Sequence, residues 1–439
     1  MSQPAQAVAP LAPAASPRAT APGGVVAQPD AGPDSAAAKA RAARDTPSLL
    51  RRLTTALILA GLLFGLAGAI SFVGLALSLD RAESNTAQLI RVQKIQTNLL
   101  SADATATNAF LVGGLEAPAQ RAAYDSAITT TGALIAEASD AQPADATALS
   151  VLNQAMVDYA VTIEQARANN RQGFPVGSQY LRNASADLRA DALPILDNLV
   201  NANSARASAA MDTHVGLVFE IVGFLVLAAL VLSMVWVARR FKRRINSGLA
   251  AATAVVLVAW IVGIIVLTQV SGRVDDIQRG SFSSVNSAAE IRIQANDAKS
   301  NESLTLIARG SGASFEKAWV ASSAQVGESL ARLSQPALTT SWRSYAATHQ
   351  QIRKLDNGGS WDAAVALATG TAAKSSNTLF GSFDRSASEF LDSVSAQTSR
   401  GLASPQPLLV VFAVLTFLAG VGAGLLARSG LAQRLQEYR

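Results

Sequence analysis

Four long apolar runs limit what this chain can fold into. They cover residues 53–79, 215–238, 248–270 and 405–427, and only the second contains a charged residue. An α-helix needs roughly 20 apolar residues to cross the hydrocarbon core of a bilayer. Charged residues make up only 15% of the chain, against about 25% in ordinary soluble proteins. The sequence therefore predicts four transmembrane helices.

A basic cluster between the second and third runs predicts the orientation. Residues 239–247 form a short loop that contains no acid. Its five cations are Arg239, Arg240, Lys242, Arg243 and Arg244. Short loops rich in Lys and Arg stay on the cytoplasmic side, so we expect this loop and both termini to be cytoplasmic in a multi-pass cell-membrane protein. The cluster also suits contact with anionic lipid headgroups or with a cytoplasmic protein, and both interpretations stay open.

The segments at the two ends of the chain are predicted to carry no fold of their own. Residues 1–45 are rich in Ala, Pro, Gly and Ser, and we predict a disordered cytoplasmic tail. The apolar run that follows is longer than the core of a cleavable signal, so we expect a retained anchor. Residues 428–439 form a short basic cytoplasmic tail.

The two polar segments, residues 80–214 and 271–404, show helical periodicity. One apolar stripe with spacings of three and four is Leu149, Leu152, Met156, Tyr159 and Ile163. Glycine and proline breakers divide the first segment into four helices, and we expect Pro194 to kink the last of them. The predicted fold is all-α: four transmembrane helices carry two extracytoplasmic four-helix bundles.

The two halves of the chain resemble each other. The string that begins at Tyr159 (Tyr-Ala-x-Thr-x-x-Gln-x-Arg) recurs from Tyr345, and at the same offset Gly173 meets Gly359. We therefore predict an internal duplication whose halves pack as a pseudo-dimer. Because the membrane helices continue into the bundles, a small piston or rotation outside would reach the cytoplasmic face.

Catalytic chemistry has little support in the sequence. There is no cysteine, there are two histidines, and no nucleophile, phosphate-binding or metal motif is present. We therefore predict no enzyme activity, no cofactor and no metal. The basic residues flank the membrane runs, which argues against nucleic-acid binding. His214 and His349 are expected at a surface or interface.

Several weaker features each allow two interpretations. Glu220 lies inside the second apolar run, where a carboxylate is costly and often functional, yet it is close enough to the outer interface to reach water. The glycine pairs Gly61/Gly65 and Gly420/Gly424 allow close helix packing within the chain or between protomers. A small-ligand site between helices could use Arg91, Arg121 and Tyr124, or these could be plain surface residues.

Two membrane spans that bracket a four-helix bundle resemble the sensor half of bacterial chemoreceptors and histidine kinases. The doubled plan, with minimal cytoplasmic parts, resembles more narrowly the GlnX family of actinobacterial membrane proteins. That resemblance implies an extracytoplasmic amino-acid-binding lipoprotein (GlnH) and a cytoplasmic serine/threonine kinase (PknG) as partners. It implies no functional residues, because no motif of the family aligns here.

We therefore expect a non-enzymatic transmembrane signal transducer that relays external amino-acid availability to a cytoplasmic kinase. Two other classes stay open. A transporter or channel component would need polar residues in several spans, and an envelope scaffold would bind its partners regardless of amino acids. The sequence also leaves open a homodimer, the ligand and the bundle that senses it.

Overall fold

The computed structural model describes residues 33–112, 116–173, 175–212, 216–241 and 246–436. All regular structure in these ranges is helical. The predicted all-α class with four membrane helices is confirmed. The helices are α1 (Pro33–Val112), α2 (Pro118–Ala141), α3 (Ala146–Arg171), α4 (Val176–Asp187), α5 (Leu193–Met211), α6 (Gly216–Phe241), α7 (Ser247–Ile277), α8 (Ser283–Ile307), α9 (Ala313–Leu333), α10 (Pro336–Asn357), α11 (Trp361–Thr369), α12 (Ser376–Ala403) and α13 (Gln406–Gln436).

Four of these helices have the length and apolarity needed to cross a membrane: α1, α6, α7 and α13. Each contains one of the four apolar runs of the sequence. Large apolar side chains such as Leu232, which is 68% exposed, cover their outward faces. Apolar side chains exposed at this density are stable only against lipid. The chain is therefore a multi-pass membrane protein.

Helix α1 is a single helix of 80 residues. It runs from the basic end of the membrane region, through the membrane, and along the whole first bundle. It begins at Pro33, inside the segment 1–45 for which the sequence predicts disorder, so residues 33–45 are helical here. The physical reason is composition: residues 36–43 contain mostly alanine with Lys and Arg, which are strong helix formers. Residues 1–32 lie outside the described ranges.

Two helix pairs are joined without a break in the helical path. A π-helical turn at Leu188–Ala192 joins α4 to α5, just before Pro194. Pro194 has no N–H to donate, so the predicted distortion takes the form of a widened turn here. A second π-helical turn, Gln278–Phe282, joins α7 to α8 without a proline. As a result, the helix that leaves the membrane at α7 continues directly into the second bundle.

The membrane helices pack most closely where α1 crosses α13. A methyl group added at Gly61 would lie 2.6 Å from the Gly420 carbonyl oxygen, and one at Gly65 would lie 2.9 Å from the Phe417 carbonyl oxygen. Only glycine allows two backbones to approach this closely. The predicted glycine pairs therefore pack against each other within one chain.

Between α6 and α7 the structure describes only the last residue of the connection, Asn246. Its side-chain oxygen accepts hydrogen bonds from the backbone N–H groups of Gly248 and Leu249 and so caps α7. Its Nδ2 donates to the Gly430 carbonyl oxygen at 2.9 Å. The end of the basic loop is thereby hydrogen-bonded to the C-terminal part of α13.

Each polar segment folds into a helical bundle with its own apolar core. Bundle 1 consists of α2, α3, α4–α5 and the part of α1 beyond the membrane, and bundle 2 consists of α8, α9, α10 and α12 with the short α11. Tyr159 and Tyr345, which align in the predicted repeat, are both fully buried. Gly173 and Gly359 both adopt positive φ, at 74° and 79°, which favours glycine at these helix ends.

Candidate signalling interface

The feature that joins the two bundles is a buried polar network centred on Asp103. This carboxylate lies on α1 and is fully buried. It accepts hydrogen bonds from the hydroxyl groups of Ser185 and Tyr159 in bundle 1, and from Ser300 in bundle 2. A buried charge is stable only when it is paired and hydrogen-bonded. Asp103 is therefore held by donors from both bundles at once.

Arg189 neutralises Asp103 and extends the network into bundle 2. It lies in the π-helical turn between α4 and α5 and donates to the Asp103 carboxylate at 3.0 Å. Its other nitrogens donate to the Asp297 carboxylate of α8 at 2.7 and 3.0 Å. Burial alone would lower the pKa of Arg189, but the charges of Asp103 and Asp297 raise it above its ordinary value. The guanidinium is thus a charged bridge between the bundles.

Asp297 is held in turn by two donors from its own bundle. Ser322 on α9 donates to it at 2.6 Å, and Asn301 donates at 2.9 Å. We call the set Asp103, Tyr159, Ser185, Arg189, Asp297, Ser300, Asn301 and Ser322 the cross-bundle network. Because its members polarise one another in a buried setting, the network stabilises the register in which the two bundles meet here.

Further hydrogen bonds cross the same interface on either side of the network. Gln93 donates to Asn286 at 3.0 Å, and Asn377 donates to Asn108 at 2.8 Å. Lys94 forms an exposed ion pair with Asp392 at 3.2 Å. These contacts place α1 in direct polar contact with both α8 and α12. The interface is therefore polar along much of its length, unlike the apolar core inside each bundle.

A cleft of about 600 Å³ opens beside this network, between bundle 1 and bundle 2. Arg189 and Asp297 lie on its wall, together with Arg182 and Asp197. Carboxamides of Gln96, Asn183, Gln294 and Asn301 also line it. The wall therefore offers equal numbers of cations and carboxylates with many hydrogen-bond donors and acceptors. A second pocket of about 220 Å³ lies beside Glu116, Arg121, Arg167 and Arg171 in bundle 1.

Bundle 2 contains a second buried charge cluster, around Glu302. This carboxylate accepts from Lys299 at 2.8 Å and Ser376 at 2.6 Å, and its other oxygen contacts Nδ1 of His349 at 3.0 Å. Burial alone would raise the pKa of Glu302, but Lys299 and His349 together lower it to about 2. Glu302 is therefore ionised throughout the physiological range.

Of the two positions expected for His349, a surface or an interface, the surface position is wrong, because the ring is buried where α10 meets α8 and α9. The side chain is 1% exposed, its ring stacks on Trp319 at 3.6 Å, and its Nε2 contacts Glu316 at 3.2 Å. Burial lowers the pKa of His349, but the hydrogen bonds to Glu302 and Glu316 outweigh burial and raise it. The physical reason for the error is that both carboxylates come from other helices, α8 and α9, which the sequence alone does not bring together.

The membrane residues that the sequence singled out do not form one site. Glu220 is half-buried in the first turns of α6, and among the described residues no cation or donor contacts its carboxylate. Arg239 and Arg240 end the same helix and are both exposed. Lys242, Arg243 and Arg244 lie outside the described residues, as does His214.

The predicted small-ligand trio is only partly brought together. Arg167 stacks over the ring of Tyr124 at 4.1 Å and pairs with Glu164, which also pairs with Arg121. Arg91 instead contacts Gln88, near the other end of α2. Tyr124 is buried, so Arg121 is the member that reaches the 220 Å³ pocket. Within the described ranges, no group of three or more His, Asp or Glu is arranged to hold a metal ion.

The comparison with protein families matches bundle 1. Residues 78–212 are similar to the actinobacterial sensor domain. The match covers the outer part of α1 and all of α2 to α5, and so includes Asp103 and Arg189. No curated protein and no solved structure matches the chain. The sensor-domain match supports a sensing role in a protein of the actinobacterial type.

The cross-bundle network escaped the sequence analysis, although a signal for it exists. Asp103 continues the stripe formed by Leu99 and Ala106 on α1, and Glu302 continues the stripe of Ile291, Ala295 and Ala298 on α8. A carboxylate in line with an apolar stripe indicates a buried charge that needs a partner. What the sequence does not give is the partner, because Arg189 and His349 come from distant segments.

Proposed function

We propose that this chain is a non-enzymatic transmembrane signal transducer. Both bundles lie outside the cell membrane, and both termini and the 239–247 loop lie in the cytoplasm. The excess of cations at that end of the membrane helices supports this orientation. The observation that carries the proposal is the continuity of α1, which connects the basic end of the membrane region to the cross-bundle network in one helix.

The transmitted change is a shift in the register of the two bundles. Helix α1 packs against α2 and α5 of its own bundle, against α8 and α12 of the other, and against α6 and α13 in the membrane. A helix displaced along its axis by a ligand-dependent change at the interface carries that displacement through the bilayer. The polar interface suits this role because its hydrogen bonds can exchange partners, whereas an interlocked apolar core resists sliding.

The signal we propose is the external availability of amino acids. An extracytoplasmic amino-acid-binding lipoprotein docks on the bundles, and a cytoplasmic serine/threonine kinase receives the change. The resemblance to the GlnX family supports both partners. The cleft between the bundles, with its balanced charges, is where a docked protein would act on the network.

The test is a crosslinking pull-down from membranes that express the tagged full chain, with and without external amino acids. We expect a solute-binding lipoprotein on the outside, a serine/threonine kinase on the inside, and recovery that changes with amino acids. The same pull-down is repeated with the variant Asp297→Asn, which removes one charge from the cross-bundle network. In this variant, recovery of the kinase should no longer depend on amino acids. Recovery of neither partner would overturn the proposal.

The transport alternative has one residue in its favour, Glu220. Replacement by Gln keeps the size of the side chain and removes its charge. If the chain transduces a signal, Glu220→Gln leaves kinase coupling intact and no solute flux is lost. Loss of amino-acid uptake in cells that carry Glu220→Gln, with the protein still in the membrane, would favour a transporter instead.

A further inference from the structure

A groove between α1 and α6, at the basic end of the membrane region, combines an apolar trench with a cationic rim. It has a volume of about 730 Å³. Its trench is formed by Leu49, Leu53, Ala56, Leu232, Val235 and Trp236. Arg52 on α1 and Arg239 on α6 border it. The groove thus places two guanidinium groups next to an apolar surface, at the level where a membrane helix meets the headgroup region.

Neither arginine has an ionic partner among the residues that the structure describes. Both are exposed, and among the described side chains no carboxylate lies within ion-pair distance of Arg52 or Arg239. Several arginines of the bundles, among them Arg121, Arg189 and Arg206, do pair with carboxylates. An arginine fork binds phosphate oxygens in a bidentate manner. The rim is therefore complementary to an anion that reaches it from the bilayer.

We propose that this groove binds an anionic phospholipid. The phosphate contacts Arg52 and Arg239, and an acyl chain lies along the apolar trench. The trench residues Leu49 and Leu232 are 47% and 68% exposed, so the trench presents an uncovered apolar surface to an acyl chain. Trp236 fits this position because its amphipathic ring favours the boundary between headgroups and acyl chains.

A second membrane groove supplies an internal comparison. It lies between α7 and α13, has a volume of about 490 Å³, and is lined only by apolar residues and Thr416. With no cation on its wall, it offers an acyl chain the same kind of surface but gives a phosphate no contact. Lipid that stays bound at the first groove and not at the second is therefore held by its headgroup.

The test measures lipid retained by the purified full chain in detergent, by native mass spectrometry with phosphatidylglycerol or phosphatidylcholine added. We expect preferential retention of phosphatidylglycerol, and a loss of roughly tenfold or more in the double variant Arg52→Gln/Arg239→Gln, since each arginine near an anionic headgroup contributes about 1 kcal/mol. The matched control is Arg51→Gln/Arg240→Gln, which removes the same charge one residue away from the groove on each helix.

Three outcomes would overturn the proposal. Equal loss in both double variants would mean a diffuse basic surface. Equal retention of both lipids would mean binding by the apolar trench alone. A stable dimer that excludes lipid and is broken by Ala56→Trp would mean that a second copy of the chain occupies the groove. None of these readouts depends on the signal that the bundles sense, so the lipid site can fail while the proposed function stands.

Discussion

Asp103 and Arg189 show how much of the structure depends on single charged residues. Asp103 is fully buried, and Arg189 is its only cationic contact among the described residues. A buried pair of this kind adds little net stability compared with apolar packing, but the loss of one partner leaves a buried charge without compensation. Charge at this position therefore specifies how the bundles fit together more than it stabilises either one.

Replacement of Arg189 by Met tests this directly. We expect a loss of about 3–5 kcal/mol in the free energy of unfolding, because Asp103 and Asp297 are left without their shared cation. The control is Lys94→Met, which breaks an ion pair across the same interface whose side chains are 40% and 60% exposed. That change should cost about 1 kcal/mol or less. Denaturant unfolding in detergent would measure both, and equal losses would contradict the buried bridge.

The His349 cluster predicts a pH dependence with a defined sign. The pKa of His349 is raised above its ordinary 6.5, so its contribution to stability is complete below pH 6.5 and is lost as pH rises through the folded-state pKa. The pKa of Glu302 is lowered to about 2 from 4.5, so its contribution is complete above pH 4.5 and is lost as pH falls toward 2. From these two groups, stability is highest between pH 4.5 and 6.5.

The variant His349→Gln should remove the loss of stability that occurs as pH rises above 6.5. We expect the melting temperature of the wild-type chain to fall between pH 6.5 and 8.5, and that of the variant to be lower but nearly flat over the same range. Glu302 and Glu316 contact the His349 ring, and Lys299 and Arg353 pair with those two carboxylates. Parallel curves for both proteins would show that another group titrates.

At the scale of elements, the sequence predicted the helices well and their partners poorly. In the second polar segment, α8, α9, α10 and α11 are separated at Gly310–Gly312, Gln335-Pro336 and Asn357–Gly359, where glycine or proline interrupts the helical pattern. The extra break between α11 and α12 was missed, because Gly370 and Ser375 bracket a short turn with no proline. Helix periodicity is local and can be read from the chain, whereas the pairing of α1 with α8 depends on tertiary packing.

The crossing of α1 and α13 gives a prediction for the membrane region. At Gly420, an added methyl group would collide with the carbonyl oxygen of Gly61 and the backbone of Gly65. We therefore expect Gly420→Ala to lower stability by about 1–3 kcal/mol, as overpacking does. Gly422 lies two residues away on the same helix with no atom within 4 Å, so Gly422→Ala should have little effect. Thermal unfolding in detergent would compare the two, and equal effects would contradict the crossing.

At the scale of the whole molecule, the two bundles pack against each other across a polar interface. We call this interface, which contains the cross-bundle network, the seam. The internal duplication stays a prediction, although Tyr159 and Tyr345 are both buried and Gly173 and Gly359 share a backbone conformation. Signal transduction by register change is likewise a proposal about the seam. It rests on α1 reaching the seam at one end and the membrane's basic side at the other.

The basic loop supplies a prediction at this scale. Replacing its five cations, Arg239, Arg240, Lys242, Arg243 and Arg244, by Gln removes the main positive surface on the proposed cytoplasmic side. If a kinase binds there, its recovery with the chain should fall severalfold while the outer partner is still recovered. Topology must be verified in the same cells, because these charges also set orientation. Unchanged kinase recovery with correct topology would remove the loop from the mechanism.

The central claim, that an external signal changes the fit between the bundles, can be tested by crosslinking, because the chain has no cysteine of its own. Gln93→Cys/Asn286→Cys spans the seam at a pair hydrogen-bonded at 3.0 Å, and Asp145→Cys/Asn203→Cys lies within bundle 1, away from the cleft, at a pair bonded at 2.7 Å. The measurement is the rate of disulfide formation in intact cells, with and without each amino acid. We predict that at least one amino acid changes the rate across the seam and leaves the rate within bundle 1 unchanged. Rates that respond to none of them, or that change equally in both pairs, would contradict the claim.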